Sequence, residues 1–151
     1  MNDTILYEVT REAYTISTDP ARIDVDLVHR YLSQVSYWAK NIPEEVVRRS
    51  IENSVCFGVY ENGRQVGFAR VVTDKATFGY LADVFVVESA RGLGLSKWLM
   101  DSILAHPELQ GFRRWILATA DAHGLYARSG FKPLARPERW MERHNPNVYN
   151  R

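Results

Sequence analysis

The sequence predicts an α+β domain with a mixed, mostly antiparallel sheet flanked by helices. Three observations carry this reading. First, two alternating apolar runs, Val55 to Tyr60 and Gln65 to Thr73, flank Asn62-Gly63, the dipeptide that favours the type I′ turn of a hairpin. Second, the β-branched and aromatic run Val84-Phe85-Val86-Val87 leads through a glycine turn into apolar positions Leu95, Trp98, Leu99 and Ile103, which have helical spacing. Third, Trp115-Ile116-Leu117-Ala118 reads as a strand reached by that helical crossover, and such a strand lies parallel to the one before it.

The elements follow in chain order. Residues 1–12 mix charge with scattered apolar side chains and read as a loose lead-in or an edge strand. Ala13 to Ser17 forms a strand, punctuated by Thr18-Asp19-Pro20. Asp24 or Asp26 starts a helix that places Leu27, Val28, Tyr31, Leu32 and Val35 on one face. A break from Ser36 to Asn41 carries Tyr37 and Trp38. Pro43-Glu44-Glu45 starts a second helix, because proline suits the first turn and acids suit its positive end. The hairpin follows, then a turn at Asp74-Lys75 and the strand Phe78 to Val87. Beyond the main helix, Asp121 is placed to cap a short helix ending near Gly130. Phe131 to Leu134 and Arg139 to Arg143 are expected to supply two last strands.

The stretch Arg91-Gly92-Leu93-Gly94-Leu95-Ser96 carries the chemistry. The first N–H groups of a helix have no internal partner and sit at its positive end. Glycines there let an anion reach the bare backbone, so the turn is a candidate cradle for a pyrophosphate. The third glycine of the dinucleotide fingerprint is absent, and so is the Gly-Lys-Ser/Thr of a Walker loop. A turn whose glycines only permit tight packing is the competing reading.

The same six residues resemble the Arg/Gln-x-x-Gly-x-Gly/Ala signature of the GNAT superfamily of acetyl-CoA-dependent N-acetyltransferases. The preceding Val-Phe-Val-Val run is similar to that family's fourth strand, and Leu125-Tyr126-Ala127-Arg128-Ser129-Gly130-Phe131 resembles its Leu-Tyr-x-x-x-Gly-Phe element. The likeness spans roughly Tyr14 to Arg143. Ser96 stands where Gly or Ala is usual, and Thr119 to His123 lacks an Asn that many relatives place there. The resemblance implies a sheet with a splayed strand pair, and transfer of an acetyl group from acetyl-CoA, as co-substrate, to a primary amine of a small molecule, peptide or protein. It implies that Val84, Phe85 and Val86 bind the pantetheine arm by their backbone, with an N–H near Val86 polarising the thioester oxygen. Arg91, Gly92, Leu93, Gly94, Leu95, Ser96 and Lys97 would bind the phosphates. It also makes Tyr126 the acid that protonates the departing thiolate, with a half-buried tyrosine packing at a helix–sheet junction as the competing reading.

The base is less determined. Asp83 precedes the binding strand in an apolar setting, although alternation points it to the face opposite Val84 and Val86, and a hydrogen-bonded structural carboxylate is the competing reading. His123 titrates in the right range and lies three residues before Tyr126, but also suits a phosphate contact or a solvent-facing position. A water chain is a further option. Tyr37, Trp38, Phe78, Tyr80 and Trp140 are candidates for the acceptor pocket, since aromatic walls hold apolar bodies and cations; the same rings equally suit core packing.

The totals bound the function. A chain of 151 residues suggests one domain, residues 1–151. A net charge of +1 makes no case for nucleic-acid or membrane partners. Cys56 is the single cysteine, so no internal disulfide or cysteine metal cluster is expected, and its apolar run points to a buried thiol. No apolar run approaches ~20 residues and the N-terminus is polar and acidic, so a cytoplasmic location is expected; the family resemblance calls for no metal and makes a homodimer an option. An acyl-CoA-binding regulatory domain without turnover and an unrelated nucleotide-binding domain are the alternatives.

Overall fold

The computed structural model describes residues 5–150. Six strands form one sheet in chain order: β1 (Glu8–Arg11), β2 (Tyr14–Ser17), β3 (Val55–Glu61), β4 (Arg64–Thr73), β5 (Phe78–Val86) and β6 (Arg114–Ile116). Every neighbouring pair is antiparallel except β5 and β6, which are parallel. The helices are α1 (Val25–Arg30), α2 (Glu44–Glu52), α3 (Leu95–Ala105) and α4 (His123–Ala127). This is the α+β architecture expected, with α1 and α2 on one face of the sheet and α3 on the other. The lead-in supplies an edge strand, β1; residues 1–4 lie outside the described residues.

The hairpin turn forms as read, with Asn62 at φ 49° and Gly63 at φ 84°, the pair of positive angles a type I′ turn requires. Helix α1 starts on Asp24, whose side chain accepts from the Leu27 N–H, a cap worth about 1 kcal/mol. The segment Tyr31–Val35 then widens into a π turn, in which the Ser36 N–H reaches the Tyr31 carbonyl. The extra residue rotates the face. Val28 and Leu32 remain fully buried, whereas Val35, expected on the same stripe, is turned out to solvent. Ser36 fixes the break that follows, donating to the Leu32 carbonyl and accepting from the Ala39 N–H.

Two apolar layers sandwich the sheet. Under α3, Val59, Val66, Val71, Leu81 and Val86 pack with Leu99, Met100 and Ile103. Under α1 and α2, Phe68 and Phe85 pack with Val28, Leu32 and Val47. Cys56 lies in this second layer, where burial pushes its thiol up to about 12, consistent with an inert buried side chain.

Two expectations fail beyond β6. No strand follows it among the described residues. Pro133 has no N–H to give a ladder, and one 3₁₀ turn from Pro137 takes the N–H groups of Arg139 and Trp140 into local bonds. The whole stretch 132–148 stays exposed. Asp121 does not cap α4 either. Ala122 stands at that position, and the Thr119 hydroxyl accepts the Ala122 N–H instead.

Candidate active site

The glycine turn after β5 is open, not packed. Gly92 and Gly94 have φ of 83° and 75°, and a Cβ at either would meet nothing within 4 Å. The glycines are therefore there for their backbone conformation, which a side chain would strain. Gly94 stands at the N-cap of α3 with no capping side chain, and the N–H groups of Leu95, Ser96 and Lys97 have no protein partner among the described residues. These groups, with Arg91 and Arg128, line a recess of about 200 Å³. Arg91 is held in place at 3.0 Å both from the Val86 carbonyl, by its Nε, and from the Tyr31 hydroxyl. Lys97 is turned along the helix to Asp101, and the Leu93 side chain points to solvent. Bare amides, positive helix end and arginines fit a diphosphate.

The other end of the site arises where two strands part. The ladder between β5 and β6 has three pairs and ends at Tyr80 and Ile116. From Leu81 to Val86 that edge of β5 has no strand partner among the described residues. A bulge bends it there: Arg70 pairs with Ala82 and Phe68 with Phe85, so Asp83 and Val84 oppose Ala69 alone, and Asp83 takes φ 55°. Between the diverging chains lies a cavity of about 440 Å³, walled by Leu81 to Val84 on one side and Leu117 to Ala122 on the other.

Four segments bring side chains to this cavity. The break after α1 contributes Tyr37 and Trp38, and it is bolted across the opening at both sides. The Trp38 Nε1–H donates to Asp83 Oδ1 at 2.9 Å, and the Ala120 N–H donates to the Tyr37 hydroxyl oxygen at 2.9 Å. Strand β4 contributes Arg70, whose Nε donates to Asp83 Oδ2 at 2.9 Å. Strand β5 contributes Tyr80 and Asp83, and α4 contributes Tyr126. Asp83 does lie opposite Val84 and Val86, which pack in the α3 layer. That face does not look away from the cavity, however: it is where Tyr37, Trp38 and Tyr80 gather. The bulge is what lets Tyr80 and Asp83, three residues apart, share it.

Tyr126 is nearly buried, with its ring edge-on to Phe131. Burial raises its phenol above the ordinary value, and the nearby Tyr37 and Asp121 add to the effect. At neutral pH it is therefore a firmly protonated donor. Asp83 has both carboxylate oxygens occupied by donors, as the structural reading anticipates. His123 is exposed, its ring has no hydrogen-bond partner among the described residues, and it lines no part of the cavity. Phe78 and Trp140 are not brought to it either. Phe78 sits at the far end of β5, and Trp140 covers Arg114 at 5.0 Å from ring centroid to guanidinium.

Sequence reasoning missed Arg70, Asp121 and Arg128. Arg70 had a signal, a lone cation within the apolar run of β4. Asp121 and Arg128 had none, because only the turn of the chain around α4 aims them at the cavity and the cradle.

The Acetyltransferase (GNAT) family model matches residues 22–131. A Gibberella zeae protein assigned to the acetyltransferases is 32% identical, over 80% of this chain and 79% of its own length. A crystal structure of a protein from Xanthomonas campestris pv. campestris, assigned to the GNAT acetyltransferases, is 55% identical and superposes with a TM-score of 0.89, over 91% of this chain and 97% of that one. An acetyltransferase from Clostridium acetobutylicum, crystallised with acetyl-CoA, shares the fold at 17% identity and a TM-score of 0.63, over 87% and 94%.

Proposed function

Because this chain belongs to the acetyltransferase (GNAT) family, enzymes that move an acyl group from acetyl-CoA, we propose that it acetylates a primary amine by direct attack while both substrates are bound. One observation supports this above the others. A single strand, β5, joins the phosphate-binding turn to the cavity, and its edge between them is unpaired. An extended amide-bearing arm can lie along such an edge as an added strand. The backbone of Val84, Phe85 and Val86 would hold it, and the amides of Gly92 to Lys97, with Arg91 and Arg128, would hold the phosphates.

When bound, acetyl-CoA supplies the activated acetyl group as a thioester. The protein's part is to orient, exclude water and move protons. An ammonium cannot attack, so the acceptor must first lose a proton. Asp121 bears the cavity carboxylate that has no side-chain partner among the described residues, and the proton leaves past it to water. Asp83, held by Trp38 and Arg70, positions the break that carries Tyr37 and Trp38 rather than taking the proton. As the C–N bond forms and the C–S bond breaks, the nitrogen gives up its second proton to water and Tyr126 donates its own proton to the departing thiolate. The ring recovers it from solvent.

The test is thiol release from acetyl-CoA against amines, polyamines, amino acids, aminoglycosides and peptides. Free thiol in equal amount to acetylated amine is expected. Coenzyme A that raises the melting temperature, with no thiol released by any amine, would overturn turnover and leave a binding domain.

Among the described residues no helix is long and apolar enough to cross a membrane, and no group of three metal-ligating side chains comes together.

A further inference from the structure

A second recess lies at the start of β6. Arg114, Leu134, Ala135, Arg136, Arg139 and Trp140 line an open recess of about 590 Å³ between the sheet edge and the exposed stretch after α4. Three guanidiniums face one space, and none of them has a carboxylate within ion-pair distance or a hydrogen-bond acceptor among the described residues. The ion pairs of the chain lie elsewhere, and neither Glu138 nor Glu142 reaches these arginines. Arg114 lies over the Trp140 ring, its guanidinium 5.0 Å from the ring centroid. The charge is concentrated here: residues 106–151 carry eight Lys or Arg against four Asp or Glu, in a chain of net charge +1. Uncompensated like charges held together raise the local potential and favour an anion.

The register fixes which way the recess faces. Gly79 backs onto Trp115, and Trp115 and Leu117 pack in the α3 layer. Arg114 and Ile116 alternate to the opposite face, in register with Phe78 and Tyr80. That is the face on which Tyr80 and Asp83 line the acceptor cavity. At about 3.3 Å per residue, Arg114 stands about 13 Å from Ala118 in the cavity wall. The glycine cradle begins beyond Val86, roughly 25 Å away along β5. The recess is thus close to the acceptor and remote from the phosphates of coenzyme A.

We propose that Arg114, Arg136 and Arg139, with Trp140, form an anion-binding subsite for the acceptor, which is therefore an amine whose body carries an oxyanion, phosphate or carboxylate, within about 13 Å of the reacting nitrogen. The inference rests on the reading of the cavity as the acceptor site. A second copy of the chain would set the same cations against one another, so the recess suits a small anion.

The first experiment does not depend on turnover. With coenzyme A saturating the cradle, inorganic pyrophosphate binding is measured by calorimetry on the wild type, on Arg136→Gln/Arg139→Gln, and on Lys132→Gln/Arg143→Gln, which removes the same charge outside the recess. Binding by the wild type and the control, weakened about tenfold or more in the recess variant, is expected. No binding at all, or equal loss in both variants, overturns the subsite. Failure of coenzyme A itself to bind would instead count against the proposed function.

The second experiment compares kcat/KM for aminohexyl phosphate, aminohexanoate and hexylamine. The wild type should favour an anionic amine by about tenfold, the preferred member telling phosphate from carboxylate. The recess variant should lose that preference with the KM for acetyl-CoA unchanged. Thiol release from hexylamine at a rate equal to the anionic pair would overturn the substrate class while leaving acetyl transfer standing.

Discussion

The two ends of β5 are built from different materials. After Val86 the site is backbone: amides at the mouth of α3, bared by two glycines with positive φ. Around Asp83 it is side chains, drawn from the break after α1, from β4, from β5 and from α4, and bolted together by Trp38, Arg70 and Tyr37. A backbone site serves any chain that repeats the turn, so it suits a shared donor. A side-chain site can change residue by residue without disturbing the fold, so under the proposed function it suits the acceptor.

Breaking the backbone end should have the largest effect. Gly94→Glu strains a residue at φ 75° and puts a carboxylate beside the bare amides. Thermal protection by coenzyme A, worth about 2.7 kcal/mol at a hundredfold excess over Kd, should vanish. Protection that survives would place the phosphates elsewhere. At the side-chain end, Tyr126→Phe keeps the packing but removes the donor. The expected fall in kcat is roughly 10² to 10⁴, with coenzyme A protection unchanged. An unaltered kcat would remove Tyr126 from the chemistry.

Asp83→Asn sharpens the contrast by testing whether the acceptor end is held by one carboxylate. Arg70 and Asp83 are both largely enclosed, with side chains 17% and 10% exposed. Leaving the guanidinium uncompensated should cost about 3 kcal/mol in a denaturant titration. The cradle should still bind coenzyme A once the protein is folded. Tyr37→Phe removes the acceptor of the Ala120 N–H, at about 1 kcal/mol. It should raise the KM of the amine a few-fold and leave that of acetyl-CoA alone.

The smallest effect lies outside both ends. His106 is fully buried against Tyr7 and Phe57, and burial lowers its pKa below the ordinary imidazole value. The unfolded chain therefore binds a proton more readily than the folded one. The stability this group contributes is present above about pH 6.5 and is lost as the pH falls below it. His106→Gln should flatten the dependence of the melting temperature between pH 7 and 5. An unchanged slope would assign that dependence to other groups.

Much of the fold can be read from local pattern. The Asn62-Gly63 hairpin, the strand entering the glycine turn and the spacing of Leu95, Trp98, Leu99 and Ile103 each encode their structure within a few residues. The readings that failed are those where neighbours compete for the same groups. Arg139 to Arg143 has no ladder partner once Pro137 turns its amides inward, and the π turn at Tyr31–Val35 moves Val35 off its stripe. The site divides in the same way. Gly92, Gly94 and Arg91 stand together in the chain as they do in space, whereas His123 shares a helix with Tyr126 and still faces solvent.

The chain by itself determined the anion cradle, because a helix end and its glycines are contiguous and their physics is local. Tertiary structure alone decided which side chains meet at the cavity between β5 and the chain after β6. The bulge at Asp83 and the early end of the β5–β6 ladder set the faces on which Tyr37, Arg70, Asp83 and Asp121 converge. Both depend on the register between paired strands rather than on any one stretch of sequence, and a one-residue change of register sends a side chain to the other face.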